Sequence, residues 1–247
     1  MLEGFHALKH ALRFGAVVLE VLCADTAALG ALAGQLAPDL AEDILALARE
    51  IPEDVLVKLA PLLPPTGVIS LAERPPVDPA AVLADPRAAP VILLEDPRDL
   101  GNMGACVRVS AAADAAGVLI TGGHDPWHPD ALRGAAGLHY ALPVARLPEG
   151  LPPAAGLPPA AGLPGAAGRP LLALDPAGAP LDLQALPSRS TLAFGTERHG
   201  LSPALLARAD ACVAIPMRAG VSSLNLATSV AAVLFAWRLS KAKVLRT

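Results

Sequence analysis

Aromatic side chains make up only 3% of this 247-residue chain, so its core has to be assembled from aliphatic residues and alanine. Long apolar runs are missing as well. Pro, Gly or a charge interrupts each one before it reaches the roughly 20 residues that a membrane span requires. Cysteine is scarce: Cys23, Cys106 and Cys212 are odd in number and far apart. That pattern excludes a dense disulfide framework and suits buried thiols in a reducing compartment. The opening Met1-Leu2-Glu3-Gly4 has neither the basic start nor the apolar run of a signal peptide, so we expect a cytoplasmic protein. A basic excess, the usual footprint of nucleic-acid binding, is also absent, since the formal net charge is −4. Counting by segment locates the acidity. Residues 1–75 hold five Lys/Arg against ten Asp/Glu, and residues 76–247 hold fourteen against thirteen. The back of the chain is therefore nearly neutral. Lys9, Lys58, Lys241 and Lys243 are the only lysines. Arginine is the better fork for phosphate, although a GC-rich genome produces the same bias.

What is present supports a sizeable core: 53% of residues are hydrophobic, and mean hydropathy is +0.49. Phe5, Leu8 and Leu12 recur at helical spacing, and Val17 to Leu22 reads as a strand. Residues 26–50 read as helical with a break near Pro38, and Val68 to Leu71 as another strand. The Pro- and Ala-rich stretch from Arg74 to Pro90 is the best boundary. We expect a small α/β domain at 1–75, a linker at 76–89 and a second domain at 90–247. In the second domain, Val91–Glu95, Val118–Thr121, Ala141–Leu147, Leu171–Asp175, Thr191–Thr196 and Cys212–Met217 are near-continuous apolar runs. Strands covered on both faces look like this, and their alternation with helices predicts a mostly parallel α/β sheet. A last helix is expected from Asn225 to Leu239, with Leu226, Val230, Val233 and Trp237 on one side. Gly150, Gly156, Gly162 and Gly168 punctuate a Gly-Leu-Pro-Pro-Ala-Ala repeat, which proline density makes a polyproline-like surface loop.

Three segments carry chemistry. The first, Glu95 to Arg108, leaves a strand and turns through Pro97, Gly101 and Gly104 into a helix. Its glycines permit close approach of backbone or ligand, and Arg108 falls about one turn beyond the loop. Taken alone, it is equally a strand-to-helix turn with a surface arginine. In the second segment a buried strand ends on Gly195, followed by Thr196, Glu197 and Gly200. Ser202-Pro203 then forms an N-cap and first-turn pair. Glu197 is as well suited to bonding backbone amides as to serving a site. In the third, Ile215-Pro216-Met217 leads to Ser222, Ser223, Leu224 and Asn225, three cap-type polar groups where a helix needs one.

In order and spacing these segments resemble the SpoU, or TrmH, family of trefoil-knot methyltransferases over about residues 90–240. Leu2 to Leu8 also looks like the opening of that family's small ribosomal-protein-like domain. The resemblance implies a C-terminal trefoil knot and a homodimer. It also implies transfer of a methyl group from S-adenosylmethionine to a ribose 2′-hydroxyl of rRNA or tRNA. It places the donor against Gly195, Thr196, Ile215, Met217, Ser223 and Leu224, and catalysis with Arg108, Asn102, Glu197 and Asn225. Guanidinium stays protonated, so Arg108 suits holding a phosphate and a developing alkoxide better than acting as a free base. No Gly-x-Gly-x-Gly run follows an early strand, which disfavours the ordinary Rossmann-type methyltransferase. The sequence departs from the family after Arg108, where Val-Ser-Ala-Ala-Ala-Asp-Ala-Ala-Gly is a few residues longer, and after Asn225, which is followed by Leu-Ala-Thr. A non-catalytic RNA-binding or ribosome-assembly paralogue with the same fold is the competing reading. No metal site is expected, because Pro126 and Pro129 keep His124 and His128 off a common helix face and no cysteine joins them.

Overall fold

The structure, a computed structural model, describes residues 1–60, 64–147, 169–196 and 198–244. Two sheets organise it. The first is built from β1 (Leu2–Glu3), β2 (Val18–Cys23), β3 (Ala48–Glu50) and β4 (Val68–Ala72). Helices α1 (Phe5–Arg13), α2 (Thr26–Leu36), α3 (Ala41–Leu47) and α4 (Glu53–Leu56) accompany it, with a 3-10 turn at Pro38–Leu40 where the helical pattern breaks. Its strand order is β1-β4-β2-β3. Residues 48–50, expected to be helical, instead pair in parallel with β2, because edge-strand pairing there outweighs local helix propensity. The core of this unit joins Phe5 and Leu8 of α1 to Val21, Leu29, Ile44 and Val68.

The connector is not bare. Asp78 caps α5 (Pro79–Ala84) by accepting the Ala80 N–H. Val82 and Leu83 of that helix join the core of the second sheet. That sheet contains β5 (Val91–Leu94), β6 (Gly117–Ile120), β7 (Val144–Arg146), β8 (Leu171–Pro180), β9 (Thr191–Phe194) and β10 (Ala211–Ala214). All pairings are parallel, in the order β10-β8-β9-β5-β6-β7. Its helices are α6 (Leu100–Ala112), α7 (Pro129–Gly134), α8 (Pro203–Leu206) and α9 (Leu226–Val244). Every residue of β5, β6 and β9 is buried, as the continuous apolar runs required. Leu226, Val230, Val233 and Trp237 form the buried side of α9. The run at 141–147 yields only a three-residue strand, and Ile215 to Met217 lies beyond the end of β10. The repeat at 150–168 lies outside the described residues.

One expectation about the first segment changes. Asp99 caps α6, accepting the Asn102 N–H at 2.6 Å, so Gly101 and Gly104 lie inside the helix and not in a ligand loop. A Cβ on Gly104 would stand 2.2 Å from the Ala131 carbonyl oxygen. This glycine therefore lets α6 and α7 touch backbone to backbone.

The two sheets are joined by α1. Ala7 and Ala11 pack with Trp127 and Leu132, and Arg133 pairs with Glu3. His10 Nδ1 donates to the Ala136 carbonyl at 2.7 Å. From the connector, Arg74 lies 5.4 Å over the Trp127 ring.

Candidate functional site

Strand β5 has β6 on one side and β9 on the other, so chain direction across the sheet reverses there. Parallel α/β sheets bind ligands outside the carboxyl ends of their strands at such a point. The cavity of about 980 Å³ lined by Glu95 and Asp96 after β5 and by Thr196 after β9 opens there, and a cavity of about 420 Å³ lies beside it, walled by Leu174 to Pro176 of β8, the end of β9 and the segment between β10 and α9.

Local chemistry shapes the walls. After β9, Thr196 and Gly200 exchange backbone hydrogen bonds of 3.0 Å each way and so close a hairpin. Gly195 lies against it so closely that a Cβ would fall 2.0 Å from the Gly200 carbonyl carbon. Glu95, at the end of β5, accepts from the Ser202 N–H at 2.7 Å and from its hydroxyl at 2.6 Å. Ser202 Oγ in turn accepts the Leu205 N–H and caps α8, as its Ser-Pro pair predicts. The hairpin is thus held at both ends.

The third segment divides its polar groups between two tasks. Asn225 Oδ1 accepts the Thr228 N–H at 3.2 Å, capping the start of α9. Ser222 and Ser223 face the smaller cavity, the surplus over capping that the sequence shows. Asn225 Nδ2 donates to Asn102 Oδ1 at 3.0 Å, tying the first segment to the third across 123 residues.

All six expected donor residues, Gly195, Thr196, Ile215, Met217, Ser223 and Leu224, line this smaller, first cavity. Asn102 lines the larger, second cavity, which adjoins the first along Thr196 to Gly200. Asn225 touches Asn102 at its edge. Arg108 is exposed on α6 and lines neither cavity. Burial, followed by the charges of Lys9 and Arg108, lowers the imidazole of His6. His10 is lowered mainly by burial too, with Lys9, His6 and Arg108 adding to it against the bond to Ala136. Arg108 is thus close enough to His6 and His10 of α1 for its charge to act on both. Glu197 lies outside the described residues.

Sequence reasoning passed over Asp175, Arg198 and His199, all of which line the first cavity. Asp175 ends an apolar run and accepts the Ala177 N–H at 2.8 Å, a turn signal that hides its place in the wall. Burial, and Asp175 nearby, push the Cys212 thiol up.

A parallel sheet with an apolar-and-serine cavity over β8 and the end of β9 defines an α/β protein built to hold a small organic ligand. The comparisons specify which. This chain belongs to the SpoU rRNA methylase family, whose model matches residues 89–235. It is 30% identical over 184 residues to an uncharacterized tRNA/rRNA methyltransferase of Synechocystis, an alignment covering 74% of this chain and 64% of that one. This chain thus spans less than two thirds of that relative's length. Among solved structures it resembles the SpoU methyltransferase AviRb from Streptomyces viridochromogenes in complex with AdoMet, with TM-score 0.72 and 25% identity, covering 97% of this chain and 89% of that one. An RNA 2′-O ribose methyltransferase is similarly related, with TM-score 0.67 and 26% identity, covering 98% and 88%. Among the described residues, no helix is long and apolar enough to cross a membrane.

Proposed function

We propose that this chain transfers a methyl group from S-adenosylmethionine to a ribose 2′-hydroxyl of rRNA or tRNA, acting as a cytoplasmic homodimer. The observation that carries the reading is convergence: residues from two separate segments, Gly195-Thr196 and Ile215 to Leu224, line one cavity. The cavity fits the donor. Its volume of about 420 Å³ lies within the range of ~300–1,000 Å³ typical of small-molecule sites. Phe194, Ile215 and Leu224 offer apolar surface to a flat base, and Ser222, Ser223 and Ser229 offer hydroxyls to its polar parts.

When bound, the donor supplies an electrophilic methyl on a sulfonium sulfur. The chain's own residues bind and orient. Gly195 and the Thr196–Gly200 hairpin form a rigid wall, which keeps the cavity from closing on itself or shifting. The bonded amides of Asn102 and Asn225 sit at the seam between the two cavities, where an incoming ribose hydroxyl has to be aligned. Arg108 remains a cation and acts as an anchor for RNA phosphate. Glu197 would complete the site, as the family resemblance implies.

Residues 1–75 act as the RNA-recruiting domain, 76–89 as the linker and 90–247 as the catalytic domain with its trefoil threading. The His6, Lys9 and His10 side of α1 next to Arg108 supports the recruiting role, despite the acidity of the segment as a whole. Phe235 and Leu239, 41% and 63% exposed one turn apart on α9, support a dimer face. A site shared between subunits also accounts for Arg108 lying outside its own chain's cavities. The test is incubation with methyl-labelled S-adenosylmethionine and total RNA from a strain lacking the gene, followed by digestion to nucleosides. Label in a 2′-O-methylated nucleoside is expected, and label in a base would overturn the ribose assignment. Absence of both transfer and S-adenosylhomocysteine binding would favour the non-catalytic paralogue.

A further inference from the structure

The second cavity holds a charge arrangement that the donor reading does not use. Three carboxylates line it, and each already has a partner. Glu95 takes both bonds from Ser202, Asp96 pairs with Arg98 at 2.6 Å, and Asp99 accepts the Asn102 N–H. Arg198 differs. It is exposed, lines both cavities, and has no ion pair or hydrogen bond among the described residues. Its place on the hairpin is firm, because the Thr196–Gly200 backbone bonds and the bond from His199 N–H to Thr196 Oγ1 at 3.0 Å close that turn. The junction of the two cavities therefore presents, among the described residues, a guanidinium with no carboxylate bound to it, on a hydrogen-bonded support.

Building on the proposed function, we propose that the second cavity seats the nucleotide to be methylated and that Arg198 binds its 3′-phosphodiester. Ribose chemistry dictates the geometry. The 2′-hydroxyl and the 3′-phosphate sit on adjacent carbons, so a hydroxyl entering the donor cavity from the second one brings its 3′-phosphate to the mouth between them. Arg198 is the cation at that mouth. A guanidinium grips a phosphodiester with two parallel hydrogen bonds and so sets the sugar's orientation as well as its affinity. The volume of about 980 Å³ accommodates a nucleoside, with Asn102 in its wall. Arg198 is thus a substrate-positioning residue for any RNA sequence, since phosphate contacts orient without reading bases.

The experiment compares wild type, Arg198→Ala and Arg198→Lys. Three quantities are measured: affinity for S-adenosylhomocysteine, steady-state methyl transfer to the RNA substrate, and binding of a labelled single-stranded RNA oligonucleotide across a salt series. Loss of a charge-assisted contact raises the RNA KM of Arg198→Ala by about 10- to 100-fold. It also lowers the slope of log affinity against log salt by about 0.7. S-adenosylhomocysteine affinity stays at the wild-type level, which shows that the variant is folded, and Arg198→Lys recovers part of the loss. Weakened S-adenosylhomocysteine binding with an unchanged RNA KM would overturn the proposal and assign Arg198 to the donor's carboxylate. Equal loss of both would mark a structural role, and no change in either would mark a surface residue. If wild type methylates no RNA, the functional reading fails, while the salt slopes still judge Arg198 separately.

Discussion

Substituting Gly195 by alanine tests whether the donor wall is as rigid as its packing implies. The added Cβ would lie 2.0 Å from the Gly200 carbonyl carbon and 2.2 Å from the Leu201 nitrogen, all backbone. Ordinary carbon contacts are about 3.5–4.0 Å, so the hairpin has to move by roughly 1.5 Å. That displacement strains both Thr196–Gly200 hydrogen bonds. Overpacking costs about 1–3 kcal/mol, and each of the two strained bonds adds about 0.5–1.5 kcal/mol, for a total of ~2–6 kcal/mol. A misplacement of about 1 Å near reacting groups lowers turnover by around 100-fold. Gly200→Ala is the internal control. Its nearest neighbour would be Asp175 Oδ2 at 3.9 Å, leaving only the left-handed backbone at φ +64 to resist it. That resistance is about 1–2 kcal/mol. Urea unfolding and calorimetric titration with S-adenosylhomocysteine read the two variants side by side. Gly195→Ala should lose stability and donor affinity well beyond Gly200→Ala. Wild-type donor affinity in Gly195→Ala, or equal destabilisation of the two, would refute the argument.

Further outcomes follow from other contacts. Arg169 is 1% exposed and donates to the carbonyls of Leu83, Asp85, Ala89 and Ser190, and burial lowers its guanidinium to about 10. Arg169→Met strips the donor from the Leu83 and Ala89 carbonyls, while those of Asp85 and Ser190 keep Arg189 Nε and the Val91 N–H; it should cost ~2–6 kcal/mol in urea unfolding, with a loss under about 1 kcal/mol counting against the network. Burial holds the His139 imidazole at about 4, and its Nε2–H donates to the Pro126 carbonyl. The unfolded chain, with an ordinary histidine, therefore binds more protons between about pH 6.5 and 4, and stability falls as pH drops through that window. The contribution is roughly 3 kcal/mol, and His139→Leu should remove it from the pH dependence of Tm. Asn102→Ala and Asn225→Ala should be non-additive by about 0.5–1 kcal/mol in stability, reflecting their shared bond, and an additive double mutant would show that the bond is not formed in solution.

Much of this molecule was legible before its structure. Patterns spanning a few residues encode the buried strands β5, β6 and β9, the apolar side of α9 and the caps at Ser202 and Asn225. The residues that line the first cavity carry local signals too, namely strand-end glycines and surplus polar groups before a helix. Where the local pattern competed with pairing, at residues 48–50, it failed. The rest depends on contacts between distant parts of the chain. Gly104 reads as a loop glycine until Ala131 is found against it. Arg169 carries no mark in the sequence, and only the fold surrounds it with four carbonyls from the connector and two strand approaches. Arg198 carries no signal in its motif, and only the meeting of two cavities gives it a place. Sequence determines local conformation because backbone preference and hydrophobic period act over one or two turns. Which charges end up paired, which glycines are irreplaceable and which cation stands free are settled only when segments up to 130 residues apart pack together.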